Sequence, residues 1–266
     1  MSRRTKFGVF ITLLSAVLVT CGVMIGGELL SRQKEKEDFE QLAKLVTVKS
    51  PAASPTPTGP PAADEHPAAT ATPTPDSEEE SQEQRRDLSE LFAMNEDFVG
   101  WLCIPETDIN YPVMHTPNDP EKYLRRNFQG EYSESGVPFL DFRCSLDSGN
   151  LIIYGHNMMN GTMFAGLQGY VQEDFCKAHP IVEFQTADGC AEYRVFAVAW
   201  VKSNDEWYKF VGANSAEDFN SAVDKVIGKA LFSISSAPEY GSQILTLSTC
   251  YDSAHNGRLL VLAAKL

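Results

Sequence analysis

"QILTLSTCYDSAHNGRLLVLAAKL", residues 243–266, holds two apolar runs around a polar turn. In the first run Leu245 and Leu247 alternate with Thr246 and Ser248, the period of two expected of a strand with one apolar face. That run ends at Cys250. Tyr251 to Gly257 make a polar loop in which "HNG" is a turn signal, and Arg258 opens the second run. Paired antiparallel at the usual strand spacing of about 4.8 Å, the two runs would bring the Arg258 guanidinium over the Cys250 thiol. A cation there favours thiolate, the nucleophilic form. It also offers fixed donors to a carbonyl oxygen that turns negative under attack. The hairpin therefore points to β structure with acyl-transfer chemistry at one strand end.

Working upstream, "VGWLCIP" (99–105), "INYPVMH" (109–115), "GVPFLDF" (136–142), "NLIIYGH" (150–156), "IVEFQT" (181–186) and "EYRVFAVAWV" (192–201) read as further strands, separated by Gly, Pro, Asn and Asp turns. With the hairpin they make about eight strands in one domain, which predicts a closed barrel or a sandwich. Leu88, Leu91 and Phe92 have the i, i+3, i+4 spacing of an amphipathic helix at the domain entrance. Two helical insertions are expected, one within 161–180 and one over 215–232. The second opens on a Ser-x-x-Asp cap signal, Ser215 and Asp218.

The N-terminal third differs in kind. Residues 7–27 contain no charge and are long enough to cross a bilayer core of about 30 Å as a helix. Arg3, Arg4 and Lys6 precede them, so the positive-inside rule keeps the N-terminus cytoplasmic and the rest outside. The apolar stretch exceeds that of a signal peptide and no small-x-small cleavage site follows it, which favours an uncleaved signal anchor. Phe39, Leu42, Leu45 and Val46 recur at helical spacing within a charged segment, either a short juxtamembrane helix or a spacer. Residues 50–75 are rich in Pro, Ala and Thr and cannot bury a core. At about 3.1 Å per residue such a run would hold a domain several nanometres from a membrane. An acidic run, 76–84, follows. The expected division is a cytoplasmic N-terminus and anchor over 1–30, a juxtamembrane segment and linker over 31–86, and a catalytic domain over 87–266.

The chain's net charge of −14 lies almost wholly in the last of these segments, because basic and acidic side chains nearly balance before residue 87. An acidic domain repels phosphate backbones, which argues against nucleic-acid binding. Of six cysteines, Cys21 falls in the apolar run, leaving an odd number outside and few or no disulfides expected. Cys103 and Cys144 read as small core residues. No cysteine or histidine spacing suggests zinc. Asp205, Glu206, Glu217 and Asp218 form an acidic surface rather than a calcium site. Acyl transfer needs a proton donor for the leaving amine. His156 ends a strong strand where a loop begins, and ranks ahead of His255, within the hairpin loop, and His115, beside a probable surface connection. His66 lies in the linker.

"LIIYGHNM" (151–158), "LTLSTC" (245–250) and "NGRLLV" (256–261), in that order, resemble the three signature segments of sortases, membrane-anchored cysteine transpeptidases of Gram-positive bacteria. Residues 95–115, 123–142 and 154–170, with the helical insertion ahead of the Cys-bearing strand, resemble the class B branch. The resemblance implies an eight-stranded sortase-type β-barrel with an N-terminal helix and an inserted helix. It implies His156, Cys250 and Arg258 as the catalytic set. It places Tyr154, Ser248 and Thr249 along the peptide groove, with no metal and no cofactor. It further implies a substrate carrying an LPxTG- or NPxTx-type sorting signal cleaved after Thr, and an amine acceptor on a cell-wall precursor peptide such as lipid II. A pilin lysine is the alternative acceptor, as in pilus-polymerising relatives. A hydrolytic cysteine protease and an inactive wall-spanning binding module are the remaining rivals. Trp207 and Tyr208, in a polar stretch, read either as substrate contacts or as loop anchors.

Overall fold

The computed structural model describes residues 20, 26, 33–34, 37–46, 86–234, 237–252 and 256–266. The apolar run 7–27 lies outside the described residues apart from Thr20 and Gly26. So do the Pro-rich run, the acidic run, Cys21, His66 and His255. Among the described residues no helix is long and apolar enough to cross a membrane.

Eight strands close into a barrel: β1 (Phe98–Cys103), β2 (Asn110–Met114), β3 (Phe139–Leu140), β4 (Asn150–Tyr154), β5 (Ile181–Thr186), β6 (Gly189–Lys202), β7 (Ile244–Asp252) and β8 (Gly257–Lys265). Their order around the barrel is β1-β2-β3-β4-β7-β8-β6-β5. Every expected strand is present, and closure decides for the barrel over the sandwich. Closure also removes the free edges that a sandwich leaves exposed. β3 is far shorter than the expected run 136–142. It pairs with β2 through one register position and with β4 through two, between the proline at 138 and Asp141, which takes part in a polar cluster instead.

Most pairings are antiparallel, but β4 and β7 run parallel over five register positions, from Asn150↔Ile244 to Tyr154↔Ser248. Parallel strands need a long connection. Between them lie β5, β6 and a connection containing α4 (Ala216–Ile227). The side chain of Ser215 accepts from the Asp218 amide at 3.1 Å, so the cap forms as expected. Phe219, Val223 and Val226 bury one face of this helix. The other insertion folds as a 3-10 segment, Phe164–Val171, followed by α3 (Glu173–Ala178). The entrance helix is α2 (Ser89–Met94), with Leu91 buried. None of the five described cysteines is in a disulfide; Cys144 is buried as expected, whereas Cys103 is half-buried.

Residues 37–45 form a further helix, here α1, and it is packed against the barrel rather than standing apart. Phe39, Leu42 and Val46 are buried, and the Phe39 ring meets Tyr111 of β2 edge-on with centroids 5.5 Å apart. At the far side of the Pro-rich run, the Arg86 backbone exchanges hydrogen bonds with the Gln185 side chain on β5 at 3.0 and 2.6 Å. The described residues on either side of 47–85, α1 and Arg86, therefore both contact the barrel. A Leu42→Ala substitution is expected to lower stability by roughly 2 kcal/mol or more, the usual loss for a buried Leu truncated to Ala. Urea unfolding of the protein tests this, and an unchanged midpoint would mean that α1 does not dock in solution.

Candidate active site

The parallel β4–β7 ladder delivers two strand ends to the same end of the barrel. β8, antiparallel to β7, begins there. Cys250 stands directly opposite Arg258 in the β7–β8 register, as the antiparallel reading of the hairpin requires. The strands run closer to the turn than the sequence suggests: β7 extends to Asp252 and β8 starts at Gly257, with a register shift between Cys250 and Asp252. His156 lies two residues beyond β4. His156, Cys250 and Arg258 all line one cavity of about 560 Å³. His115 does not line it.

His156 is seated by main chain. Its Nε2 lies 2.9 Å from the carbonyl oxygen of Leu124, and its own carbonyl accepts from the Phe164 amide at 2.8 Å. A carbonyl can only accept, so Nε2 carries the proton and Nδ1 is the nitrogen left to exchange one. Burial holds the imidazole below its ordinary pKa; the Leu124 hydrogen bond works against that shift and nearby Arg125 reinforces it. Gly155 precedes it because a Cβ there would come within 2.6 Å of the Phe164 ring.

Tyr154, Ser248 and Thr249 line the same cavity, but they are not equally available. Thr249 is buried and donates to the Gly155 carbonyl at 2.8 Å, so its hydroxyl is spent on the backbone. Ser248 is buried and its Oγ lies 2.8 Å from the Tyr208 hydroxyl. Tyr154 donates to Asp141 Oδ2 at 2.7 Å and stacks on Tyr208 with centroids 6.0 Å apart. Burial raises the pKa of both phenols, Tyr208 to about 12, so both remain protonated donors. The structure separates the pair Trp207 and Tyr208. Trp207 turns into the core and donates to Thr246 Oγ1 at 3.1 Å, while Tyr208 lines the cavity.

Sequence reasoning missed one wall of the cavity. Asp141 and Arg143, just beyond β3, are joined by two side-chain hydrogen bonds of 2.8 and 2.6 Å. Burial alone would raise the Asp141 carboxyl, but Arg143, the Arg143 amide and Tyr154 together hold it below its ordinary value. The only available signal was an Asp-x-Arg spacing at a strand end, which is common. Of the four acidic residues weighed as a calcium site, two are paired with lysines: Asp205 with Lys229 at 2.8 Å and Glu206 with Lys225 at 3.6 Å. Among the described residues no group of three or more His, Cys, Asp and Glu side chains is arranged to hold a metal ion.

A sortase-domain family model matches residues 102–266. The chain is a sortase. It is 36% identical to sortase B of Listeria monocytogenes over 171 residues, 63% of this chain and 68% of that protein. It is 30% identical to sortase B of Staphylococcus aureus over 185 residues, 68% of this chain and 75% of that protein. Among solved structures, the S. aureus sortase B–substrate complex superposes with a TM-score of 0.63 at 29% identity, covering 67% of this chain and 84% of that one. Clostridium perfringens sortase B gives 0.63 at 30% identity, covering 68% and 100%. These relatives place the chain in the class B branch, and sortases are cysteine transpeptidases.

The buried histidines give this sortase a pH signature. His156 and His115 are both held below the ordinary imidazole value of about 6.5, chiefly by burial. The unfolded chain therefore binds more protons below that value. The stability they contribute is complete above about pH 6.5 and is lost as pH falls through the folded values. Urea midpoints measured from pH 7.5 to 5.0 are expected to fall, with a shallower slope in His156→Gln; a flat profile would contradict the burial of these rings.

Proposed function

We propose that the protein cleaves an LPxTG- or NPxTx-type sorting signal after its Thr and transfers the acyl group to an amine on a cell-wall precursor peptide. The observation that carries this reading is the convergence of His156, Cys250 and Arg258 on one cavity, in a chain that belongs to the sortases. A solved relative described as a sortase B–substrate complex supports a peptide-sized trough in the same fold.

In this reading Cys250 Sγ attacks the Thr carbonyl carbon, and Arg258 stabilises the oxygen as it becomes negative. Collapse breaks the C–N bond, and His156 gives its proton to the departing amine. The product is a thioester on Cys250. An acceptor amine then attacks that thioester, His156 removes the amine's proton, and the Cys250 thiolate leaves. No step needs a metal or cofactor. Burial disfavours the cationic form of His156, so the proton donor is the less populated form of the ring at neutral pH.

The domain boundaries belong to the same reading: an anchor over 1–30, the charged and Pro-rich segment over 31–86, and the catalytic region over 87–266. The uncharged run 7–27 behind Arg3, Arg4 and Lys6 supports one span with the catalytic domain outside the plasma membrane. With α1 docked on the barrel, the sequence between the apolar run and α1 is residues 28–36, and the Pro-rich run follows α1.

Incubated with a sorting-signal peptide and an amine, the full chain is expected to yield a peptide cut after Thr and joined to the amine, read by mass spectrometry. Cys250→Ala should abolish both products. Arg258→Ala should lower kcat by about 10²–10³-fold, the usual loss for an oxyanion donor. Cleavage that persists in Cys250→Ala would remove the nucleophile assignment, and cleavage without amine capture would make the chain a protease.

A further inference from the structure

We propose that Asn157 is a positioning residue for this reaction, fixing the strand that carries the nucleophile to the loop that carries the imidazole. The inference rests on the catalytic reading of Cys250 and His156. The backbone ladder between β4 and β7 ends at the pair Tyr154↔Ser248, and its last bond runs from the Gly155 amide to the Ser248 carbonyl at 3.1 Å. The two reactive side chains both lie beyond that point. There, side chains continue what the backbone stops doing. Thr249 Oγ1 donates to the Gly155 carbonyl at 2.8 Å, and Asn157 Nδ2 donates to the Cys250 carbonyl at 2.9 Å.

The Asn157 bond is the outermost of these links, and it falls on the nucleophile's own peptide group. It also falls where β7 is least constrained by β8, because the β7–β8 register shifts between Cys250 and Asp252. The orientation of the amide is dictated by chemistry. The Cys250 carbonyl can only accept, so the NH₂ end of Asn157 must face it. Asn157 is itself held, by a backbone bridge to Met163, whose amide donates to the Tyr111 hydroxyl at 3.1 Å. The imidazole is seated from one side by Leu124 and the thiol's peptide from the other by Asn157. The separation of sulfur and ring is therefore set by two hydrogen bonds that touch neither reacting atom.

Misplacement of reacting groups by about 1 Å costs on the order of 10²-fold in rate. In the full chain, Asn157→Ala is expected to lower kcat for transpeptidation by roughly ten- to a hundredfold, with KM changed by no more than about twofold. Asn157→Asp keeps the shape but presents an acceptor to an acceptor, so it should lose at least as much as Asn157→Ala. The acid limb of the pH–rate profile should move in both, since the loop that seats the His156 ring is no longer tied to β7. Both variants should melt near the wild-type temperature. The proposal falls if both keep wild-type kcat and pH profile. It also falls if Asn157→Asp behaves as wild type while Asn157→Ala does not, which would indicate packing alone. Unfolding of both at assay temperature would make the residue structural and overturn it too. Failure of the underlying reading looks different: wild type itself would then give no Cys250-dependent turnover.

Discussion

The parallel pairing of β4 with β7 is the constraint on which the rest of the site depends. Two parallel strands end at the same edge of a barrel, and a strand returning antiparallel from either begins there. His156, Cys250 and Arg258 come from those three places; about ninety residues of intervening fold separate His156 from Cys250, and one short turn separates Cys250 from Arg258. A slip of one residue in this ladder would turn every side chain of β7 to the opposite face, carrying the thiol out of the cavity. The register is pinned by a buried polar chain. Thr246 Oγ1 donates to Asn150 Oδ1 at 2.8 Å, Trp207 Nε1 donates to Thr246 Oγ1 at 3.1 Å, and Asn150 Nδ2 donates to the Phe210 carbonyl at 2.7 Å. Asn150 and Thr246 are fully buried, so any shifted register strands their donors and acceptors without water. Apolar packing opposes the same slip, because it would put Thr246 and Ser248 where Leu245 and Leu247 pack.

The same connection that supplies Trp207 also supplies Tyr208, and the two rings divide the labour. One locks the ladder, the other roofs the cavity beside Ser248 and Tyr154. The cavity wall is thus built of neutral phenols kept protonated by burial, together with an Arg143 whose charge is matched by Asp141. Arg258 stands opposite Cys250 at the mouth of the same hairpin, and both line the cavity.

How much of this was legible follows from which interactions are local. The strands were legible because alternation and turn residues are local properties, and Cys250 facing Arg258 was legible because both belong to one hairpin. The strand pattern alone left barrel and sandwich open, since β1 meets β5 and β4 meets β7 across long stretches of chain, and the sortase resemblance supplied the eight-stranded barrel that is found. The polar face of β7 was visible in Thr246 and Ser248, but a polar face in sequence reads as solvated. Here it is buried under Trp207 and Tyr208, and only the fold shows its cover. The periodicity of Phe39, Leu42 and Val46 was visible too. The charges among them left a short helix and a spacer equally open, because periodicity reports which face a helix would bury and not where it docks.

The seating of His156 shows how main chain does work that side chains do in other nucleophilic sites. A Cys–His pair needs its ring oriented and its tautomer fixed. A carboxylate partner would do both while also stabilising the imidazolium. The Leu124 carbonyl orients the ring without adding a full negative charge, which leaves burial to dominate and the imidazole low. That carbonyl is in turn placed by Gly136, whose φ of 60° lies in the left-handed region and whose absent Cβ would fall 2.6 Å from Leu124 O. A side chain at 136 would have to push the carbonyl, and the ring with it. One glycine in the β2–β3 connection, far from His156 in sequence, therefore helps place the acceptor that fixes the tautomer of its ring.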